Sequence, residues 1–207
     1  MKANNFPAKR RQLVLTGNLV GSLLPVAFFD ADSTIRVTRS GKPSPHGRHD
    51  VIILPESFKK LEELVHKGYV LVIVSNQAGI DLGYISLAEV EEAFQETLHQ
   101  FSRQGIFFNY YDFAEKKDEN RKPEIEMARR LERKMKLNGK NIDWNKSFMV
   151  GDAGWKKGRD FRPDGSPGID HSSSDRIFAE NLARFHEGFA FFHAKDFFSQ
   201  KSADILK

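Results

Sequence analysis

Cysteine is absent from this chain. Without it there is no disulfide framework, no thiolate zinc site and no cysteine nucleophile. The absence fits a reducing compartment, and an intracellular location, cytoplasmic or nuclear, is the expectation. Long hydrophobic runs are missing too: no stretch is apolar and long enough to span a bilayer, so no membrane partner is expected. No G-x-x-x-x-G-K-[ST] occurs, which excludes a P-loop phosphate site. There is no internal repeat, no low-complexity tract and no linker long enough to separate two domains. Neither sign of charge dominates: 32 Lys and Arg against 28 Asp and Glu leave a formal +4, a mild bias toward an anionic partner. The seven histidines show no metal-ligand spacing.

What is present is an ordinary globular composition with an aromatic core. Phenylalanine contributes 18 of the 207 residues. That length suits one well-buried α/β domain, residues 1–207. The first 29 residues set basic side chains before an apolar stretch, the outline of a secretory signal. Thr16, Gly17 and Asn18 interrupt that stretch, no A-x-A site precedes Asp30, and cleavage there would cut into a core strand. A short hairpin is expected instead, Gln12–Thr16 and a second strand joined at Gly17 and Asn18, within an N-terminal extension of residues 1–24.

Apolar runs then alternate with helical patterns, the signature of βαβ units and a parallel sheet. The runs are Val26–Phe29, Tyr69–Val74, Asn109–Ala114, Ser147–Val150 and Phe189–His193. The second is continuous, β-branched and uncharged, as a strand buried on both faces should be. Pro55 is expected to open one helix and Pro123 another. Ser86 and Glu89 form a capping box ahead of Val90, Phe94, Leu98 and Phe101. A further helix is expected near Ser174–Phe185, and the Phe-rich C-terminal segment reads as a core strand with a closing turn. The loop Gly151–Ser173 is long and rich in Gly, Pro and charge, which marks it for function.

Ligand sites of open α/β sheets lie beyond the carboxyl ends of the strands. There the sequence sets Asp30 and Asp32 after the first run and Ser75, Asn76 and Gln77 after the second. Lys122 precedes the third helix, and Asp152 follows the fourth run. Such a set suits phosphoryl transfer through a carboxyl-phosphate. Asp30 can attack phosphorus. Asp32 can protonate the leaving oxygen and then take a proton from water. Ser75 and Lys122 can hold the non-bridging oxygens. Asp30 and Asp152 can supply the hard oxygen ligands that Mg²⁺ prefers. Asp170 could stand behind Lys122 or the metal, or cap a helix, and Asp175 reads as a helix-start acid.

The series "DADSTIRVTRSGK" (Asp30–Lys42), "GYVLVIVSNQAGI" (Gly68–Ile80), "RKP" (Arg121–Pro123), "VGDAG" (Val150–Gly154) and "DHSSSDRIFAENL" (Asp170–Leu182) resembles the motifs of the haloacid dehalogenase superfamily phosphatases. It is closer still to the 3′-phosphatase domain of polynucleotide kinase 3′-phosphatases. The resemblance implies a Rossmann-like α/β fold, a mainly parallel sheet flanked by helices. It also implies Mg²⁺-dependent removal of a 3′-phosphate from DNA ends. On it, Asp30 is the nucleophile and Asp32 the acid/base, with Ser75, Asn76 and Lys122 on the phosphate. The metal is held by Asp30, Asp152 and the backbone carbonyl of Asp32, and Thr34 and Asp170 support the set. With no G-x-x-x-x-G-K-[ST] in the sequence, the P-loop kinase half of such enzymes is not expected in this chain. Two departures stand out. Ser33 occupies a place where these phosphatases commonly have Gly, and "WKK" (Trp155–Lys157) follows "GDAG" where Arg is usual.

Ile35–Val51 is too short and turn-rich for a helical cap, so no large cap domain and an open site are expected. Arg36, Arg39, Lys42, Arg48, Lys116, Lys117, Arg121, Lys156, Lys157, Arg159 and Arg162 would form a basic rim. Arg39, Lys42, Arg121, Lys156 and Lys157 are the candidate nucleic-acid contacts. The expected partner is DNA with 3′-phosphate ends, and the sequence names no protein partner. Two alternatives remain: a small-molecule phosphatase of the histidinol-phosphate or heptose-bisphosphate type, against which the missing Cys/His zinc loop argues, and a non-catalytic DNA-end-binding scaffold.

Overall fold

Strand β2 (Val26–Phe29) runs through the centre of the protein with every side chain buried. The computed structural model describes residues 9–15, 19–156 and 172–199. In it β2 pairs with β5 (Val70–Asn76) on one side and β8 (Phe148–Gly151) on the other. Strands β6 (Tyr110–Ala114) and β9 (Ala190–His193) complete a five-stranded sheet of order β6-β5-β2-β8-β9, parallel throughout. Parallel pairing needs crossovers, and helices on both faces supply them.

Alternation along each strand decides which helix it meets. Ala27, Phe29, Leu71 and Ile73 point to a core shared with α1 (Glu56–His66), α2 (Leu87–Ser102) and α5 (Ala194–Ser199). Val26, Phe28, Val70, Val72 and Val74 point to the core under α3 (Glu126–Leu137) and α4 (Ser174–Ala183). Phenylalanines dominate both: Phe28 meets Phe178 and Phe189 edge-on, and Phe94 stacks on Tyr111 and Phe113. The capping box at Ser86 and Glu89 is formed, each closing on the other's backbone N–H.

Four expectations are corrected. The turn expected at Gly17 and Asn18 lies outside the described residues, and residues 12–15, expected in the hairpin's first strand, are not a strand. Instead residues 9–15 lie along the sheet edge: the N–H of Arg11 bonds the carbonyl of Tyr111, and that of Val14 the carbonyl of Asn109, both at 2.8 Å. An edge strand leaves backbone groups unpaired, and the extension takes them. Buried Asp112 fastens it, accepting from Arg11 and Arg130 at 2.8 Å each. The short strand β1 (Leu23–Leu24) pairs in parallel with β7 (Asn141–Ile142). Pro123 does not open α3; it follows a cis Lys122–Pro123 bond, and the helix begins at Glu126. The C-terminal turn is the helix α5. Arg36 belongs to the core, not the rim.

The segment before α1 is an antiparallel pair, β3 (Arg36–Thr38) and β4 (Val51–Ile53), and carries no helical cap. Buried Asp50 ties its loop together, accepting from Ser40 N–H at 2.7 Å, Ser40 Oγ at 2.8 Å and His46 N–H at 3.0 Å. Burial pushes the Asp50 carboxyl up, but these donors outweigh it and hold it below its usual range. No helix among the described residues is long and apolar enough to cross a membrane.

Candidate active site

The carboxyl ends of β2, β5 and β8 meet at one cavity of about 830 Å³. Asp30, Asp32, Ser75, Asn76, Lys122 and Asp152 all line it, and so does Asp175. Each arrives by local necessity. Asp30 is the first residue past β2, where its N–H still bonds the carbonyl of Val150. The chain then turns sharply, with Ser33 at φ 59°, a left-handed conformation that glycine adopts without cost and serine does not. The departure from the usual Gly is therefore a place of local strain. Buried Thr34 closes the turn onto β8, its Oγ1 accepting from the N–H of Asp152 at 3.1 Å.

Lys122 is the hub. Its side chain is only 1% exposed, and its Nζ donates to Asp30 Oδ1 at 2.6 Å, Asp175 Oδ1 at 2.7 Å and the carbonyl of Val74 at 2.8 Å. All three ammonium protons are engaged. The bond to Asp30 is the one that can pass to a phosphoryl oxygen. The Asn76 side chain is committed to the Lys122 backbone: it donates to the carbonyl at 3.0 Å and accepts from the N–H at 2.9 Å. Asn76 thus positions the lysine, where the sequence suggested a phosphate contact.

Burial pushes the Asp30 carboxyl up, Lys122 pulls it back, and Asp175 and Asp32 push it up again, leaving it at about 6. Asp152 goes further, to about 8, through burial and the charges of Asp30 and Asp175. Burial works against the Lys122 charge, but the two carboxylates overcome it and hold the lysine above its ordinary value. One oxygen from each of Asp30, Asp152 and Asp175 lies within 4.8 Å of the others. Three carboxylates against one lysine leave an excess of negative charge in a buried place. That donor set, all hard oxygen, fits a divalent cation such as Mg²⁺.

Asp32 stands apart. Its carboxylate accepts from Arg36 Nε at 2.8 Å and from Gln77 Nε2 at 2.7 Å. Arg36 is fully buried, bonds Thr97 Oγ1 at 2.9 Å and lies 4.2 Å from the centre of the Phe94 ring. Gln77 also donates to Ser75 Oγ at 3.1 Å, linking the hydroxyl to the second acid. The two acids read at the end of β2 thus face different surroundings. Asp30 sits among carboxylates and a lysine, while Asp32 is held by a rigid donor pair.

The third carboxylate of the cluster is Asp175, not that of Asp32. It is 1% exposed and also accepts from the N–H of Ala153 at 3.1 Å. The helix-start reading of Asp175 is corrected: it opens α4, but its carboxylate turns inward onto Lys122. One sequence signal points there, the glycine before Asp152. A Cβ at Gly151 would meet the Asp175 carboxylate oxygen at 2.2 Å, so only glycine leaves room for it. Asp170, Lys157, Arg159 and Arg162 lie outside the described residues.

Of the expected basic contacts, Lys42 and Arg121 line the cavity. Arg121 Nη1 is shielded from solvent and has no hydrogen-bond acceptor among the described residues. Arg39 and Lys156 are exposed but do not line it.

Residues 25–198 match the family model described as polynucleotide kinase 3 phosphatase. An uncharacterized 20.8 kDa protein of Autographa californica nuclear polyhedrosis virus is 32% identical over 158 residues, covering 76% of this chain and 79% of its own length. A protein of Thermoplasma volcanium named "Probable D-glycero-D-manno-heptose-1,7-bisphosphate 7-phosphatase" is 27% identical over 129 residues, covering 60% of this chain and 83% of its own. Among solved structures, a protein of Mesorhizobium loti described as a "putative had-like phosphatase" superposes with a TM-score of 0.57 at 22% identity, covering 68% of each chain.

Proposed function

The chain belongs to the polynucleotide kinase 3 phosphatase family, phosphatases of the haloacid dehalogenase type, and from that premise we propose that it removes 3′-phosphates from DNA ends with Mg²⁺. The observation that carries the polymer reading is the cationic wall. Beyond Lys122, two further cationic side chains, Lys42 and Arg121, line the cavity. A single phosphate ester needs one cationic holder, and a strand end brings further phosphates for these two.

Asp30 attacks phosphorus, forming a carboxyl-phosphate as the bond to the 3′-oxygen breaks. Asp32 delivers its proton to that oxygen. It then takes a proton from the water that opens the carboxyl-phosphate and releases inorganic phosphate. Ser75 Oγ and Lys122 Nζ hold the non-bridging oxygens, the lysine exchanging its Asp30 bond for one to the phosphoryl group. Arg36 and Gln77 keep Asp32 aimed at the leaving oxygen. A divalent cation held by Asp30, Asp152 and Asp175 would neutralise the repulsion between carboxylates and substrate.

The acid–base role makes a graded prediction. Asp32→Asn lowers the rate on a deoxyribose 3′-phosphate by on the order of 10²–10⁴, the usual worth of a positioned acid and base. On a nitrophenyl ester, whose leaving group needs no proton, the first step suffers less. An unchanged rate on the deoxyribose 3′-phosphate would remove Asp32 from the proton transfer.

The heptose-bisphosphate relative supports a second reading, hydrolysis of a small sugar phosphate. One panel separates the two. Phosphate release is followed on 3′-phosphorylated oligonucleotides and on small esters, with EDTA, with Mg²⁺ restored, and across salt. The DNA-end reading expects turnover that EDTA stops and Mg²⁺ restores. It also expects binding that weakens steeply with salt as counterions are released. Preference for a small ester over every oligonucleotide would overturn it, and activity undiminished by exhaustive chelation would remove the metal.

A further inference from the structure

Part of the cavity wall does nothing for phosphate. Leu82 and Tyr84 both line it, and they are 58% and 73% exposed. A large apolar side chain left in solvent is unremarkable alone, but two beside a phosphate site form a surface with a purpose. They are also held rigidly. The N–H of Leu82 bonds the carbonyl of Ala78 at 3.3 Å, that of Gly83 the carbonyl of Ile80 at 3.0 Å, and that of Tyr84 the carbonyl of Gly79 at 2.9 Å. Gly83, at φ 71°, allows the turn, and the capped start of α2 follows at Ser86. The ring is thus offered on a loop already in place, so ordering it costs little on binding.

We propose that Tyr84, with Leu82 beside it, is the stacking platform for the base of the terminal nucleotide, and that it makes the site prefer nucleic-acid ends to small phosphate esters. The proposal rests on the DNA-end reading of the same site. A π-face accepts any base, so the platform recognises a nucleotide without reading sequence. The cavity then divides by chemistry. Asp30, Ser75 and Lys122 take the phosphoryl group, Tyr84 the base, and Lys42 and Arg121 the next phosphates of the strand. The volume of about 830 Å³ falls within the range of pockets that enclose a ligand of that size.

The test compares two 3′-phosphorylated strands, one ending in an ordinary nucleotide and one in an abasic deoxyribose. Tyr84→Ala lowers the ratio of kcat/KM on the base-bearing end to that on the abasic end by about 5- to 150-fold, the span that ~1–3 kcal/mol of base stacking corresponds to. The change lies in KM, and Tyr84→Phe restores the ratio. Binding gives a second readout: an oligonucleotide with a fluorescent base at its 3′ terminus, titrated into Asp30→Asn protein with and without Tyr84→Ala. Equal losses on both ends, or none on either, would overturn the platform while oligonucleotide turnover still supports the DNA-end reading. Base-dependent binding through Tyr84 without turnover of any 3′-phosphorylated strand would do the reverse.

Discussion

Asp30→Asn abolishes turnover while the protein stays folded. The amide oxygen carries no charge to attack phosphorus, and the rate falls by on the order of 10⁴–10⁶, as when other covalent nucleophiles are removed. The fold survives because the change relieves the site. Asp30 is a buried carboxylate beside Asp152 and Asp175, and its charge is one of the causes that push Asp152 up to about 8. An amide of the same shape can still accept from Lys122, which keeps Asp175 as its counter-ion. Thermal unfolding in EDTA at pH 8 should therefore occur at a temperature no lower than in wild type. The measurement is phosphate release by purified, folded variant on a 3′-phosphorylated oligonucleotide in Mg²⁺. Wild-type rates would sink the covalent mechanism. A collapse in thermal stability would mean that Asp30 holds the fold, and the activity loss would then carry no mechanistic weight.

Much of this site was legible because most of its candidate groups sit at or just past the end of an apolar run. Five runs marked five strands, and in a parallel sheet their carboxyl ends share one edge, so Asp30, Ser75 and Asp152 converge by topology alone. Proximity across the chain was not legible. Asp175 is an acid in the first turn of a helix, where acids are common for reasons of the helix dipole. Nothing local reveals that its side chain turns inward to Lys122, 53 positions earlier in the chain. Arg36 misled in the opposite way. An arginine in a turn-rich segment reads as solvated, yet Phe94 and Thr97 of α2 bury it and aim it at Asp32. Buried ion pairs are decided by tertiary partners, so charge type and position cannot announce them. The strand expected at Gln12–Thr16 was misread for a related reason: the unpaired edge of β6 and the buried Asp112 offered residues 9–15 partners that the local sequence does not show.

Lys122→Met is expected to destabilise the protein by about 3–5 kcal/mol at pH 8 in EDTA, the usual cost of removing one partner from a buried ionic cluster. Methionine fills similar space but leaves Asp30 and Asp175 facing each other without a counter-ion, and the carbonyl of Val74 without its donor. The pH dependence follows from the carboxylates. Asp30 at about 6 and Asp152 at about 8 both stand above their unfolded value near 3.8, so the folded protein binds more protons than the unfolded chain. Stability of the metal-free wild type therefore falls as pH rises from about 4 to about 8. Losing Lys122 removes a charge that pulls Asp30 down, so in the variant Asp30 stays protonated to higher pH and its window extends upward. The cost of the substitution should thus be smaller at pH 5, where Asp30 and Asp152 of the variant are largely protonated, than at pH 8. Mg²⁺ should offset part of it at pH 8, where fewer protons compete for Asp30 and Asp152, and little at pH 5, where more do. Urea unfolding at the two pH values, with EDTA and with Mg²⁺, reads all four conditions. A variant as stable as wild type at pH 8 in EDTA would show that the lysine does not neutralise this cluster. A cost independent of both pH and Mg²⁺ would assign the loss to packing and to the Val74 bond, removing the electrostatic account of the site.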